Sequence, residues 1–181
     1  MYLSKKEKLE IQNPIRNKIL IIGPGNTGKT SIFNVLANKP FNPSQGPTIG
    51  VDIFIMASED GRFKFLFYDT SGVKSFLKIT QTNYRGTDMF IFVFRVDDRE
   101  TFERLENYIG YVNENCERDT KNLLIGNMSD SPNREVSIDE AEKWAIDHNM
   151  AYLDFSAKNE LRATLLSKIT EVVEIQHSIN N

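Results

Sequence analysis

Eight consecutive residues, Gly23-Pro-Gly-Asn-Thr-Gly-Lys-Thr30, hold the most specific chemistry in the chain. Glycines at 23, 25 and 28 let backbone N–H groups turn inward around an anion. A helix opening behind them adds the positive end of its dipole. Lys29 follows where an amine reaches β- and γ-phosphates, and Thr30 where a hydroxyl can bind Mg²⁺. Asn26, Thr27 and Ser31 complete the cradle. A glycine-rich turn by itself would not require lysine and then threonine in that order.

Three shorter motifs follow in order. Asp69-Thr-Ser-Gly72 offers a carboxylate that can hold a Mg²⁺-bound water and a Gly72 N–H that can approach a γ-phosphate. Gly126-Asn-Met-Ser-Asp130 offers Asn127 and a carboxylate, Asp130. That carboxylate can accept from guanine N1–H and the exocyclic amine, a pair that adenine does not present. Ser156-Ala-Lys158 can place backbone donors of Ser156, Ala157 and Lys158 near the guanine O6. Each of the three is a common turn sequence when met alone. Their meaning lies in their order behind the phosphate loop.

The elements that must position these motifs alternate along the chain. Strand-like apolar runs fall at Ile19–Ile22, Val51–Ala57, Phe63–Tyr68, Met89–Val96, Asn122–Ile125 and Ala151–Phe155. Helical patterns fall at Lys29–Asn38, Thr101–Asn113, Ile138–Asn149 and Leu161–His177. Glu59-Asp-Gly61 is a hairpin signal between the second and third strands. The pattern predicts a three-layer α/β fold of the P-loop NTPase type. It would have a six-stranded, mostly parallel sheet, one antiparallel edge strand and about five helices. In such sheets ligands sit at the carboxyl ends of strands, and each motif follows a strand.

The 181 residues carry 22 Lys and Arg against 25 Asp and Glu, a formal net charge of −3. That balance argues against bulk nucleic-acid binding. No apolar run approaches the roughly 18–20 residues of a membrane span. The single cysteine, Cys116, provides neither an intramolecular disulfide nor a metal cluster. A cytoplasmic protein is expected.

With the motifs assembled, the chain resembles the Ras superfamily of small GTPases from about Lys18 to about Glu174, and within it the Rab family. The Rab likeness rests on Thr48-Ile-Gly-Val-Asp52, Tyr84-Arg-Gly86 and the Asp97–Phe102 region. It implies residues 1–17 as an N-terminal extension, 18–175 as a G domain and 176–181 as a tail. It also implies GTP/GDP and Mg²⁺ as ligands, with metal contacts from Thr30, Thr48 and, through water, Asp69. Thr48 would be the switch I threonine, Phe41 the aromatic over the guanine, and Gly72 the anchor of switch II. Loss of the γ-phosphate would release both switches, which meet effectors, an exchange factor and a GTPase-activating protein.

Four departures from the family pattern modify these expectations. Val73 stands where the family usually carries a glutamine that orients the attacking water, so no catalytic side chain is assigned and slow intrinsic hydrolysis is expected. Met128 replaces the lysine of Asn-Lys-x-Asp, which predicts weaker nucleotide affinity with guanine preference kept by Asp130. Ile53, Tyr68 and Asn83 occupy the positions of an aromatic triad, leaving one aromatic and implying an unusual effector set. Gln176-His-Ser-Ile-Asn-Asn181 has no cysteine for prenylation. Association with the cytosolic face of endomembranes is therefore expected only if a further C-terminal segment carries a lipid anchor.

The function expected is a GTP/GDP-dependent switch in vesicle trafficking. The alternative is a guanine-nucleotide-binding pseudo-GTPase acting as an interaction module. An ATP-using P-loop enzyme would leave Asp130 and Ser156–Lys158 without a role.

Overall fold

The β-branched run at Ile19–Ile22 forms the inner half of a strand buried on both faces, as expected for a parallel sheet covered by helices on each side. The computed structural model describes residues 13–72, 83–116 and 119–180. Its six strands are β1 (Ile15–Ile22), β2 (Val51–Ala57), β3 (Phe63–Thr70), β4 (Met89–Arg95), β5 (Asn122–Asn127) and β6 (Met150–Phe155). They form one sheet in the order β2-β3-β1-β4-β5-β6. Only β2 runs antiparallel, paired to β3 with Ile53 opposite Tyr68; the other pairings are parallel.

Among the described residues, five helices cover the faces: α1 (Lys29–Leu36), α2 (Arg99–Glu103), α3 (Leu105–Asn115), α4 (Ile138–Asp147) and α5 (Arg162–Asn180). Side chains alternate across β1. Ile19 and Ile21 join Ile32, Leu36, Phe65, Phe67, Leu165 and Ile169 in one core, under α1 and α5. Leu20 and Ile22 join Phe90, Phe92, Leu105, Val112 and Ala145 in the other, under α3 and α4. Burying a side chain such as Phe67, which has no exposed surface, contributes about 1.5–3 kcal/mol.

Several boundaries differ from the sequence reading. β1 begins at Ile15, inside the segment read as an extension, and Ile15 N–H donates to the Arg62 carbonyl at 2.9 Å. α5 continues through the segment read as a tail. There His177 stacks on Phe63, with ring centroids 5.7 Å apart, and its Nε2 lies 3.0 Å from Asn17 Oδ1. The helical pattern at Thr101–Asn113 is two helices separated at Arg104, whose φ of −72° and ψ of −9° unwind the turn. α1 ends at Leu36 rather than Asn38, because Asn38 adopts φ 55° and closes the helix with its N–H on the Val35 carbonyl. The hairpin turn is as expected, with Gly61 at φ 73°.

Candidate functional site

β1 delivers the chain to the carboxyl edge of the sheet, where it turns sharply at Gly23. A Cβ at that position would lie 2.3 Å from the Val93 carbonyl oxygen of β4, so only glycine fits this close crossing of backbones. The loop then passes through Asn26 at φ 65° and Gly28 at φ 84° before α1 begins. Thr27 is fully buried and holds the loop's shape, its hydroxyl donating to the Pro24 carbonyl at 3.0 Å. The result is a concave backbone facing a cavity of about 590 Å³.

Most of the residues read from the sequence meet in that one cavity. Gly25, Asn26, Gly28, Lys29, Thr30 and Ser31 form one end, and Asn127, Asp130, Ser156, Ala157 and Lys158 form the other. Phe41, Thr48 and Gly72 line it as well. Gly23 and Thr27 shape the loop from behind without lining the cavity. Val73 lies outside the described residues.

The phosphate end is built on Lys29. Its side chain is almost wholly buried and Nζ donates to the Pro24 carbonyl at 2.6 Å. Burial pushes this amine down to about 8, while the Asp69 carboxylate pulls in the opposite direction. Gly72 presses against the same group: a Cβ there would lie 2.5 Å from Lys29 Nζ and 2.7 Å from both Gly25 N and Pro24 C. Gly72 therefore sits directly on the loop that faces the cavity.

Three oxygen-bearing side chains converge beside it. Thr30 Oγ1 donates to Asp69 Oδ2 at 2.7 Å and lies 2.7 Å from Thr48 Oγ1; Thr48 Oγ1 is 3.3 Å from the same Asp69 oxygen. Asp69 is fully buried, and its Oδ1 has no hydrogen-bond partner. Burial raises its pKa above the ordinary carboxylate value, opposed by the Thr30 hydrogen bond and by Lys29. A desolvated carboxylate with one unused oxygen, next to two hydroxyls, fits a hard divalent cation and its water. Among the described residues no group of three or more His, Cys, Asp or Glu gathers to hold a metal, so the candidate set is this all-oxygen one. Asp69 sits within β3 rather than after it, which fixes its backbone by pairing to Ile21 of β1.

The other end of the cavity is tied to the phosphate loop through Asn127. Its Nδ2 donates to the Thr27 carbonyl at 2.9 Å, and its Oδ1 accepts from Ala157 N–H at 3.2 Å. Asp130 Oδ1 accepts from Ser156 Oγ at 2.7 Å, joining the loops after β5 and β6. Met128 follows Asn127 at φ 65° and also lines the cavity. Phe41, in the loop after α1, is 42% exposed.

Two residues here were not found from the sequence. Asp97, beyond β4, lines the cavity, accepts from Arg95 Nε at 2.9 Å and Nη2 at 3.2 Å, and is held by Arg95 below the ordinary carboxylate range. Its place at the end of a parallel strand was the available signal. Glu160 gave no sequence signal; its Oε1 accepts from Ser156 N–H at 3.0 Å and Ser129 Oγ at 3.3 Å.

Outside the cavity, Ile53 and Ile55 on the outer face of β2 and Ile49, two residues before that strand, are 57, 51 and 82% exposed. Tyr68 stands opposite Ile53, with Lys18 Nζ 5.2 Å above its ring. The same ammonium donates to the Asn83 carbonyl, so the three positions of the expected triad share one neighbourhood.

A parallel α/β sheet with a lysine-bearing phosphate loop at its first strand defines a P-loop nucleotide-binding protein. Residues 18–174 match the model of the Ras family. The chain is 38% identical over 144 residues to Ras-related protein Rab-18-B of Danio rerio, covering 78% of this chain and 70% of that protein. It is 33% identical over 162 residues to Ras-related protein Rab-18 of Caenorhabditis elegans, covering 87 and 80%. Ras-related protein SEC4 of Candida albicans (strain WO-1) is 31% identical over 168 residues, covering 91 and 80%. The chain belongs to the Ras family and is a Rab-like small GTPase, a GTP/GDP-dependent switch of vesicle trafficking. A non-hydrolysing interaction module is not favoured by these relatives.

Proposed function

We propose that the cavity holds GDP or GTP with its phosphates against residues 23–31 and its guanine between Phe41, Asp130 and the Ser156–Lys158 loop. The convergence of Thr30, Thr48 and Asp69, with Asp69 Oδ1 buried and unpaired, carries this reading. Thr30 and Thr48 would ligate Mg²⁺ directly and Asp69 through water. The bound cation would supply positive charge against the β- and γ-phosphates. Lys29, made costly to charge by burial, gains most from an anion and so favours the nucleotide strongly.

The γ-phosphate would be sensed at two places. Thr48 closes over it from the loop after α1, and the Gly72 N–H from the end of β3. Losing it removes both contacts, so the segments carrying Thr48 and Gly72 relax together. The exposed aliphatic face around Ile53, with Tyr68 beside it, would then meet effectors differently in the two states, and exchange and activating proteins would act on the same segments. Residues 18–175 would form the G domain. The protein would act in the cytoplasm and at the cytosolic face of endomembranes; among the described residues no helix is long and apolar enough to cross a membrane.

Intrinsic hydrolysis is slow in this account because Val73 has no donor or acceptor to orient water. Single-turnover release of phosphate from GTP should rise about tenfold or more in Val73→Gln. An unchanged rate would remove valine as the cause.

A further inference from the structure

Base recognition by a carboxylate requires that the carboxylate be held still, because a mobile acceptor cannot reject a wrong base. Asp130 is exposed and sits in a loop, so something must fix it. Its partner is Ser156, whose hydroxyl donates to Asp130 Oδ1 at 2.7 Å. Ser156 is 2% exposed and is itself anchored from one side by Glu160. A single oxygen, Glu160 Oε1, accepts from Ser156 N–H at 3.0 Å and from Ser129 Oγ at 3.3 Å. Ser129 is the neighbour of Asp130 and its N–H donates to the Phe155 carbonyl at 3.1 Å, just before Ser156. The two loops that would read the base are thus held together through Phe155 and Glu160 as well as by the Ser156–Asp130 contact itself.

We infer that Glu160 is a positioning residue for guanine recognition, holding Ser156 and Ser129 so that Asp130 meets the base in one orientation. Glu160 does not itself line the cavity; it holds the N–H of Ser156, which does, so its action on the base passes through Ser156 and Asp130. The bracing counts for more in this chain, since Met128 supplies no charge-assisted contact where a lysine would. The inference rests on the reading of Asp130 as the base reader.

The full chain, loaded with Mg²⁺, is tested by displacing a fluorescent GDP with GDP, IDP or XDP. IDP lacks the exocyclic amine that Asp130 would hold. Glu160→Ala should raise GDP dissociation about tenfold, in line with the loss of hydrogen bonds to a charged group. It should lower the GDP-to-IDP affinity ratio at least about threefold. Glu160→Gln keeps the acceptor oxygen and should restore both values to within about twofold. Equal acceleration for GDP and IDP, or failure of glutamine to rescue, would mean general loosening and overturn the inference, as would an unchanged ratio. Should Glu160→Ala not fold, Ser129→Ala decides: a smaller fall in the ratio supports the clamp and no fall overturns it. Asp130→Asn is measured alongside. If it does not shift preference from GDP to XDP, the base-reader assignment fails and this inference with it. If it does shift and the Glu160 variants do not, only the clamp fails.

Discussion

The Asn127 side chain joins both ends of the cavity, and replacing it with alanine isolates that function. The substitution removes a donor to the Thr27 carbonyl and an acceptor from Ala157 N–H, at 2.9 and 3.2 Å. Thr27 is fully buried and Ala157 is 6% exposed, so neither backbone group has ready access to water. Each orphaned group costs about 1–3 kcal/mol. Taking the low end for both, because water can enter the space left by the side chain, gives about 2 kcal/mol, or roughly thirtyfold in nucleotide affinity. Most of it should appear in the dissociation rate, since ordering of the loops is lost after binding rather than before encounter. Asn127→Asp keeps the acceptor for Ala157 but turns a carboxylate toward the Thr27 carbonyl, so it should be at least as damaging. Release of a fluorescent GDP in the presence of excess GDP reads the effect. A change under about threefold for Asn127→Ala would refute the view that this amide couples the two ends.

Other perturbations address the remaining parts of the site. Gly72→Ala should impair GTP binding tenfold or more while leaving GDP binding within about threefold, because its Cβ would meet Pro24 and Gly25 backbone at 2.7 Å; equal effects on both nucleotides would count against Gly72 as the γ-phosphate sensor. Met128→Lys should slow GDP release roughly tenfold by adding charge-assisted contacts, and an unchanged release rate would dismiss Met128 as the cause of weak affinity. Lys29 gives a pH signature. Burial pushes its amine down to about 8 against 10.5 ordinarily, so its buried charge is a penalty below pH 8 that disappears as pH rises toward 10.5. Bound phosphates favour the charged form, so nucleotide binding should take up a proton above about pH 8 and weaken as pH rises further. Calorimetry at pH 8.5 in buffers of different ionisation heat measures that uptake, and its absence would contradict the assignment.

The phosphate loop was legible because its function depends on backbone, and glycine spacing records backbone geometry directly. Gly23 and Gly28 are glycines for steric reasons that the sequence states without help. The strands were legible for a related reason: the inner half of β1, most of β4 and the middle of β5 are buried on both faces and so read as apolar runs. Element ends were less so, because they depend on local hydrogen bonds, such as the Asn38 closure of α1 and the Arg104 break between α2 and α3. Asp97 and Glu160 escaped sequence reasoning for different causes. Asp97 sat in a segment already read as part of a family pattern, and the partner that holds it, Arg95, is two residues before it at the end of β4. Glu160 acts through contacts with Ser129 and Ser156 that exist only once β5 and β6 are adjacent. The loop carrying Phe41 and Thr48 has no periodicity to read, and its residues were placed by family likeness alone.

One experiment tests both whether this fold holds a guanine nucleotide and whether it turns that nucleotide over slowly. The protein is purified, denatured, and its released nucleotide identified by chromatography; a second sample is loaded with GTP and its contents followed over time. The expected result is guanine nucleotide at close to one per chain, with GTP lost slowly and at an increased rate in Val73→Gln. Adenine nucleotide, or no nucleotide and no uptake of GTP in the presence of Mg²⁺, would contradict it.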